Sequence, residues 1–252
     1  MKKIISGKNI VKAFGKGDEK TNVLNNVSIE ISGGEFVAVM GPSGCGKTTL
    51  LFALSGTDTI DAGTIEFAGR ELSELSEDEL SDMRRRKMGF VFQQPTMLKN
   101  LNILDNIILS SLQDNKTQNK SIIGKAKQLL KDTGISTLED RDISEVSGGQ
   151  LQRAGICRAL MNEPEILFAD EPTGALNSKT TEEIMEIFTS VNQKGTAVML
   201  VTHDAKVATR AERVLFMKDG KIESQLFLGK FDRHTIKDRM NQIALKIQNF
   251  DI

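Results

Sequence analysis

Eight consecutive residues constrain this chain more than anything else in it: Gly41-Pro42-Ser43-Gly44-Cys45-Gly46-Lys47-Thr48. The pattern G-x-x-x-x-G-K-[ST] carries meaning between a strand and a helix, because it bends backbone around phosphate oxygens at a helix N-terminus. Both flanks are present. Phe36-Val37-Ala38-Val39-Met40 is a compact apolar run bounded by Gly34 and Gly41, as in a buried strand, and Lys47 to Ser55 reads as the following helix. Glycines let backbone N–H groups turn inward where a Cβ would collide. Lys47 is placed to reach the β and γ phosphates of a nucleotide, and the Thr48 hydroxyl to ligate Mg²⁺. Pro42, Ser43, Cys45 and Thr49 complete the predicted lining.

Along the chain, short β-like runs alternate with longer helical stretches. Ile10 to Ile31 reads as strands broken by the turn-rich segment Gly15 to Asn22. Gly63 to Ala68 and Met88 to Phe92 read as strands around a charged helix, Glu77 to Arg86. From about Ile103 to Met161 the periodicity is helical, interrupted by the polar stretch Gln113 to Ser121, which is expected as a surface loop. Alternation then resumes with Ile166 to Ala169, a helix over Ser178 to Lys194, Ala197 to Val201, a helix near Ala205 to Arg210, and Val214 to Met217. The expected architecture is α/β: a P-loop NTPase with a β-rich subdomain, a mainly parallel core sheet and an inserted helical subdomain. The nucleotide-binding domain is expected over 1–228, with the helical insertion at about 94–161. A C-terminal helical extension follows over 229–252.

A P-loop alone leaves kinases, GTPases, helicases and transport ATPases open. Ile166-Leu167-Phe168-Ala169-Asp170-Glu171 narrows the field, because two carboxylates end a buried strand where parallel sheets bind ligands. Asp170 is placed to hold Mg²⁺ and Glu171 to orient and polarise an attacking water. Taken alone, an acidic turn after a core strand is a fair rival account, since Pro172 and Gly174 mark a turn.

Val146-Ser147-Gly148-Gly149-Gln150 lies twenty residues before Asp170 and opens a helix running through Arg153 and Arg158. Here the sequence resembles the ATP-binding cassette family, whose signature LSGGQ precedes a helix and then an ADEPT segment. The resemblance spans about residues 7 to 224. It implies a second anion site at Ser147, Gly148, Gly149 and Gln150, serving the γ-phosphate held by the P-loop of a partner subunit. The working unit is then a head-to-tail homodimer closed on ATP. Gln93 matches the family's glutamine that senses Mg²⁺ and the water; His203, in Val201-Thr202-His203-Asp204, matches its switch histidine. Phe14 falls where the family places an adenine-stacking tyrosine. The chain has 12 Phe and no Tyr or Trp, and stacking needs only a ring face. Core packing is the rival reading for Phe14.

Within the family, Gly89 to Gln93, Ala169 to Leu176 and Thr21 to Ser28 look most like cassettes for macrolide export, lipoprotein release and antimicrobial-peptide resistance. The extension past Ser224 is similar to the bacitracin-type members. That resemblance implies ATP and Mg²⁺ as ligands, ATP hydrolysis as the reaction, and an integral membrane permease as partner at the cytoplasmic face of the membrane. Three positions depart from the pattern: Asn177 replaces an Asp, Val146 replaces the Leu of LSGGQ, and Gln94-Pro95 replaces the usual pair after the glutamine. Cys45, beside a helix N-terminus, is expected to have a lowered pKa, with thiol modification blocking nucleotide binding.

Composition agrees with this reading. Lys+Arg number 33 against 34 Asp+Glu, so the charge balance argues against a nucleic-acid partner. No 18 apolar residues run together, so no direct membrane span is expected, and the start lacks a signal-peptide core. Arg84-Arg85-Arg86-Lys87 follows an acidic run and reads as a solvated helix. Two other functions remain to be weighed: a soluble cassette ATPase of DNA repair or translation, and a P-loop kinase of small molecules. The first ordinarily brings coiled-coil insertions or a second cassette; the second leaves Ser147 to Gln150 and His203 without a purpose.

Overall fold

The apolar runs pair into a six-stranded sheet in the order β10-β9-β3-β8-β7-β6. The computed structural model describes residues 2–15, 17, 20–112 and 119–250. The central strands β3 (Phe36–Met40), β8 (Ala197–Val201), β7 (Ile166–Asp170) and β6 (Met88–Phe92) are all parallel. Next to β3, β9 (Arg213–Lys218) is also parallel, and β10 (Lys221–Phe227) closes that edge as an antiparallel hairpin. β3 and β8 are buried along their whole length, as expected of strands covered on both faces.

Side chains alternate between two cores. Val37, Val39, Met199, Val201 and Phe168 point into one; Phe36, Ala38, Met40, Leu200 and Leu167 point into the other. The first core is completed by α1 (Lys47–Leu54) and by an antiparallel sheet of order β2-β1-β4-β5. That sheet consists of β1 (Lys3–Phe14), β2 (Thr21–Ser32), β4 (Ala62–Phe67) and β5 (Arg70–Glu71). The second core takes in α6 (Ser178–Gln193) and α7 (Ala205–Ala208), with Ile243 from α8 (Ile236–Phe250).

Between β6 and β7 the chain leaves the sheet to build a separate helical lobe. Here α3 (Ile103–Ile108), α4 (Asn119–Asp132) and α5 (Gly148–Leu160) enclose a third core around Ile107, Leu130, Ala154 and Cys157. The loop expected over Gln113 to Ser121 lies outside the described residues at 113–118, and α4 already begins at Asn119. In the turn expected over Gly15 to Asn22, residues 16, 18 and 19 lie outside them too, and β2 begins at Thr21. β1 starts at Lys3, earlier than the apolar pattern suggests, because its first half pairs with both β2 and β4.

The basic run Arg84 to Lys87 is the last turn of α2 (Glu77–Lys87), whose first turn holds Glu77, Asp78 and Glu79 behind a Ser76–Glu79 capping box. Negative charge at the N-terminus and positive at the C-terminus both complement the helix dipole. Among the described residues no helix is long and apolar enough to cross a membrane.

Candidate functional site

Parallel pairing puts the C-terminal ends of β3, β8, β7 and β6 on one edge of the sheet. Their register aligns Val39 with Val201, Val201 with Asp170, and Asp170 with Phe92. Each strand therefore delivers its next residues to the same line: the P-loop after β3, His203 after β8, Glu171 after β7 and Gln93 after β6. Adjacent strands lie about 4.8 Å apart, so the four contributions span roughly 15 Å.

The P-loop owes its shape to three glycines with positive φ: Gly41 at 159°, Gly44 at 79° and Gly46 at 101°. At two of them space is also decisive. A Cβ on Gly41 would meet Met217 O at 2.1 Å, and one on Gly46 would meet Val23 O at 2.6 Å. Lys47 is buried, and its Nζ donates to Gly41 O and Pro42 O, both at 2.8 Å. Pro42, Ser43, Gly44 and Thr48 are exposed and Thr49 is half-buried. Cys45 does not carry the lowered pKa expected from its place beside a helix N-terminus. Its side chain is buried, which pushes the thiol up, and the Lys47 ammonium 3.9 Å away only partly offsets this.

Across the sheet edge, Thr48 Oγ1 donates to Asp170 Oδ1 at 3.1 Å and Oδ2 at 3.0 Å. Burial raises the Asp170 carboxyl above its ordinary range; the Thr48 hydroxyl and Lys47 oppose the rise, and Glu171 adds to it. A cation placed here would relieve that desolvation.

Glu171 turns sharply out of its strand with φ at 48°, in the left-handed region rarely used by a side chain this long. Its N–H is pinned to Val201 O at 3.0 Å, and its Oε1 lies 2.9 Å from His203 Nδ1. Gln93 packs against the turn after Glu171: a Cβ on Gly174 would come within 2.8 Å of Gln93 Nε2.

Ser147 to Gln150 lie elsewhere, on the helical lobe. Ser147 caps α5, its Oγ accepting from Gln150 N at 3.3 Å while Gln150 Oε1 accepts from Ser147 N at 2.8 Å. This box fixes a turn whose first N–H groups lack intrahelical acceptors. Ser147, Gly149, Gln150, Asn177 and Thr180 line a cavity of about 490 Å³ to which no P-loop residue contributes. The turn thus belongs to a surface separate from the P-loop of the same chain. Phe14, at the end of β1, is 48% exposed, with Lys12 Nζ 5.1 Å from its ring centroid. Core packing does not account for it.

Two residues that motif reading missed tie these parts together. Gln152, 1% exposed, donates Nε2 to Phe92 O at 2.9 Å, directly before Gln93. Arg153 donates to Thr133 O at 2.8 Å and pairs with Glu183 of α6. A polar residue on the buried face of a helix is the only sequence signal for Gln152, and it names no partner.

A phosphate loop, a carboxylate pair and a histidine on one parallel edge, with a capped Ser-Gly-Gly-Gln turn on a second lobe, define a nucleotide-binding cassette of the P-loop NTPase class. The family described as "ABC transporter" matches residues 24–174. The bacitracin export ATP-binding protein BceA of Halalkalibacterium halodurans is 42% identical over 239 residues, 94% of either chain. The macrolide export ATP-binding/permease protein MacB of Mannheimia succiniciproducens is 39% identical over 238 residues, 94% of this chain. This chain spans only 36% of that relative's length. The cassette MJ0796, solved as a dimer in a post-hydrolysis state bound to ADP and Pi, superposes with a TM-score of 0.83. It is 37% identical, with 90% of this chain and all of that one covered. The chain belongs to the ABC transporter family, and it is an ATP-binding cassette of that family.

Proposed function

We propose that this chain is the ATP-hydrolysing subunit of an ABC exporter, acting as a head-to-tail homodimer on the cytoplasmic face of a membrane and driving an integral membrane permease. The observation that carries the reading is the division of the site. P-loop, Asp170, Glu171, His203 and Gln93 share one sheet edge, while Ser147 to Gln150 face a different cavity. A γ-phosphate on the P-loop therefore needs the Ser147 turn of a second copy to enclose it. The relatives' names support export, and the 42% identity to a bacitracin export ATP-binding protein over 94% of this chain supports antimicrobial-peptide resistance as the branch.

Mg²⁺ suits the residues present. The hydroxyl of Thr48 and the carboxylate of Asp170 are hard oxygen donors 3.0–3.1 Å apart, and among the described residues no cluster of three His, Cys, Asp or Glu offers a fuller cage. Mg²⁺ commonly takes one or two protein oxygens and completes its shell with phosphate and water. When bound it would neutralise charge on the β and γ oxygens.

The chain's own residues do the rest. Phe14 presents its face to the adenine, and the P-loop N–H groups and Lys47 hold the phosphates. Gln93 and Glu171 orient the attacking water. His203 holds Glu171 and reaches the γ-phosphate, and the Ser147 turn of the second copy orders that phosphate from the far side. Gln93 and Gln152 join the sheet edge to the helical lobe, so closure at the nucleotide moves the lobe that faces a permease. The test is Glu171→Gln incubated with ATP. It is expected to bind nucleotide, to release phosphate at least roughly 10²-fold more slowly than the native chain, and to elute at twice the monomer mass. Normal turnover, or a monomer that traps ATP alone, would overturn the reading.

A further inference from the structure

Hydrolysis as derived above makes no use of the chain beyond β10, yet that segment is held by directional contacts. Arg239 of α8 is 3% exposed. Its Nη1 donates to Thr209 O at 3.2 Å and Ala211 O at 3.0 Å. Its Nη2 donates to Leu228 O at 3.2 Å, to Gly229 O at 2.9 Å and to Lys230 O, and its Nε to Thr235 Oγ1 at 3.0 Å. Phe231 lies beside two guanidinium groups, its ring centroid 5.6 Å from Arg239 Cζ and 4.4 Å from Arg210 Cζ. Arg210, also 3% exposed, pairs with Glu182 and Glu186 of α6, and Arg233 pairs with the same Glu186.

The location gives these contacts meaning. α7 is a single turn, Ala205–Ala208, and its cap Asp204 is the residue directly after His203. One turn of helix does not hold itself, and its carbonyls are closed only by the residues that follow it: Thr209 N and Oγ1, Arg210 N and Ala211 N. Val207 and Ala208 are buried and set how deep the turn sits, but apolar packing is non-directional. The carbonyls of Thr209 and Ala211, in the same residues that close the turn, give its exit a direction, and Arg239 takes both. α6, gripped through Arg210 and Arg233, is capped by Asn177, which lines the same cavity as the Ser147 turn. A planar fork of five N–H donors suits two backbone segments at once; a lysine ammonium, with three donors on one atom, does not.

We propose that the C-terminal extension is a positioning element for hydrolysis: Arg239, backed by Phe231, fixes the α7 turn so that His203 stays in register with Glu171. The proposal rests on the role given to His203 above. Arg239 touches no substrate and acts only through the turn.

The test is a double-mutant cycle in the full chain. Arg239→Lys and Phe231→Leu are each made in the native and the His203→Ala backgrounds, with kcat, KM and the Kd for ATP measured. Alone, Arg239→Lys is expected to lower kcat roughly tenfold, with KM and the Kd within about twofold. In His203→Ala the same change should alter the residual kcat by less than about twofold, since its route is already cut. Hydrogen exchange should quicken over residues 203–210 in Arg239→Lys and stay unchanged over 41–48. An equal fractional loss in both backgrounds, or unchanged exchange over 203–210, overturns the proposal and leaves the role of His203 standing. If Arg239→Lys does not fold, Phe231→Leu decides by the same criteria. If His203→Ala alone keeps full kcat, the role of His203 falls and this proposal falls with it.

Discussion

His203 Nδ1 lies 2.9 Å from Glu171 Oε1, a contact between residues 32 apart in sequence that follow neighbouring strands. It joins the group proposed to orient water to the group proposed to reach the γ-phosphate. The backbone of Glu171 is already committed, at φ 48° and with its N–H on Val201 O, so the histidine acts on the remaining side-chain freedom. His203→Ala should leave the Kd for ATP within about twofold and lower kcat by roughly 10²-fold, the scale of one positioned acid–base or orienting group. Phosphate release under saturating ATP, beside equilibrium binding of a fluorescent nucleotide, checks both halves.

Phe14 offers a cleaner separation of binding from stability. Its ring is half exposed, so truncation removes little packing, and Phe14→Ala should change unfolding free energy by no more than about 0.5 kcal/mol. Base stacking on an aromatic face contributes about 1–3 kcal/mol, so the Kd for ATP should rise roughly 5- to 150-fold. Phe14→Tyr should bind like the native chain. Unchanged affinity in Phe14→Ala would remove this residue from the site.

The P-loop glycines should not respond alike. A Cβ on Gly44 meets nothing within 4 Å, so Gly44→Ala carries only the cost of a side chain at φ 79°, about 1–2 kcal/mol. At Gly41 the added carbon also runs into Met217 O at 2.1 Å, a backbone atom of β9 that cannot swing away. Gly41→Ala should therefore cost clearly more, at least about 3 kcal/mol, because the strand must shift as well. Urea unfolding of the two variants without nucleotide gives the comparison, and equal midpoints would contradict it.

What could be read from sequence followed the locality of its causes. The P-loop was legible because glycine spacing, the preceding apolar run and the following helix are all local. β3, β7 and β8 were legible because strands buried on both faces are apolar throughout. The early start of β1 was not, because two partners distant in sequence hold that segment. Arg239 gives no sequence signal, since its acceptors are main-chain carbonyls that any residue supplies. The relation of Glu171 to His203 depends on β7 and β8 being neighbours, which neither segment states. Gln152 is one polar residue among several on its helix, and only the fold gives it Phe92 as a partner.

Cys45 shows a local rule outweighed by its surroundings, and the correction yields a prediction. A helix N-terminus and Lys47 both favour the thiolate, but burial opposes it more strongly, so the thiol titrates above its ordinary value. Cys157, buried in the helical lobe with Thr133 Oγ1 3.1 Å from its sulfur, is pushed up to about 12 by the same cause. The thiolate is the reactive form, so a raised pKa means little of it at neutral pH and about tenfold more for each unit the pH climbs below that pKa. With iodoacetamide at pH 7 the folded chain should label far more slowly than a small free thiol. Cys45 should begin to label as the solution is made alkaline, and Cys157 should stay unmodified until the chain unfolds. Bound ATP should slow Cys45 further, because the loop that carries it closes on phosphate. Intact-mass time courses at several pH values, with peptide mapping of the first adduct, measure all of this. Rapid labelling of Cys45 at pH 7 would show that the helix terminus wins after all, and earlier labelling of Cys157 would contradict the burial assigned to both.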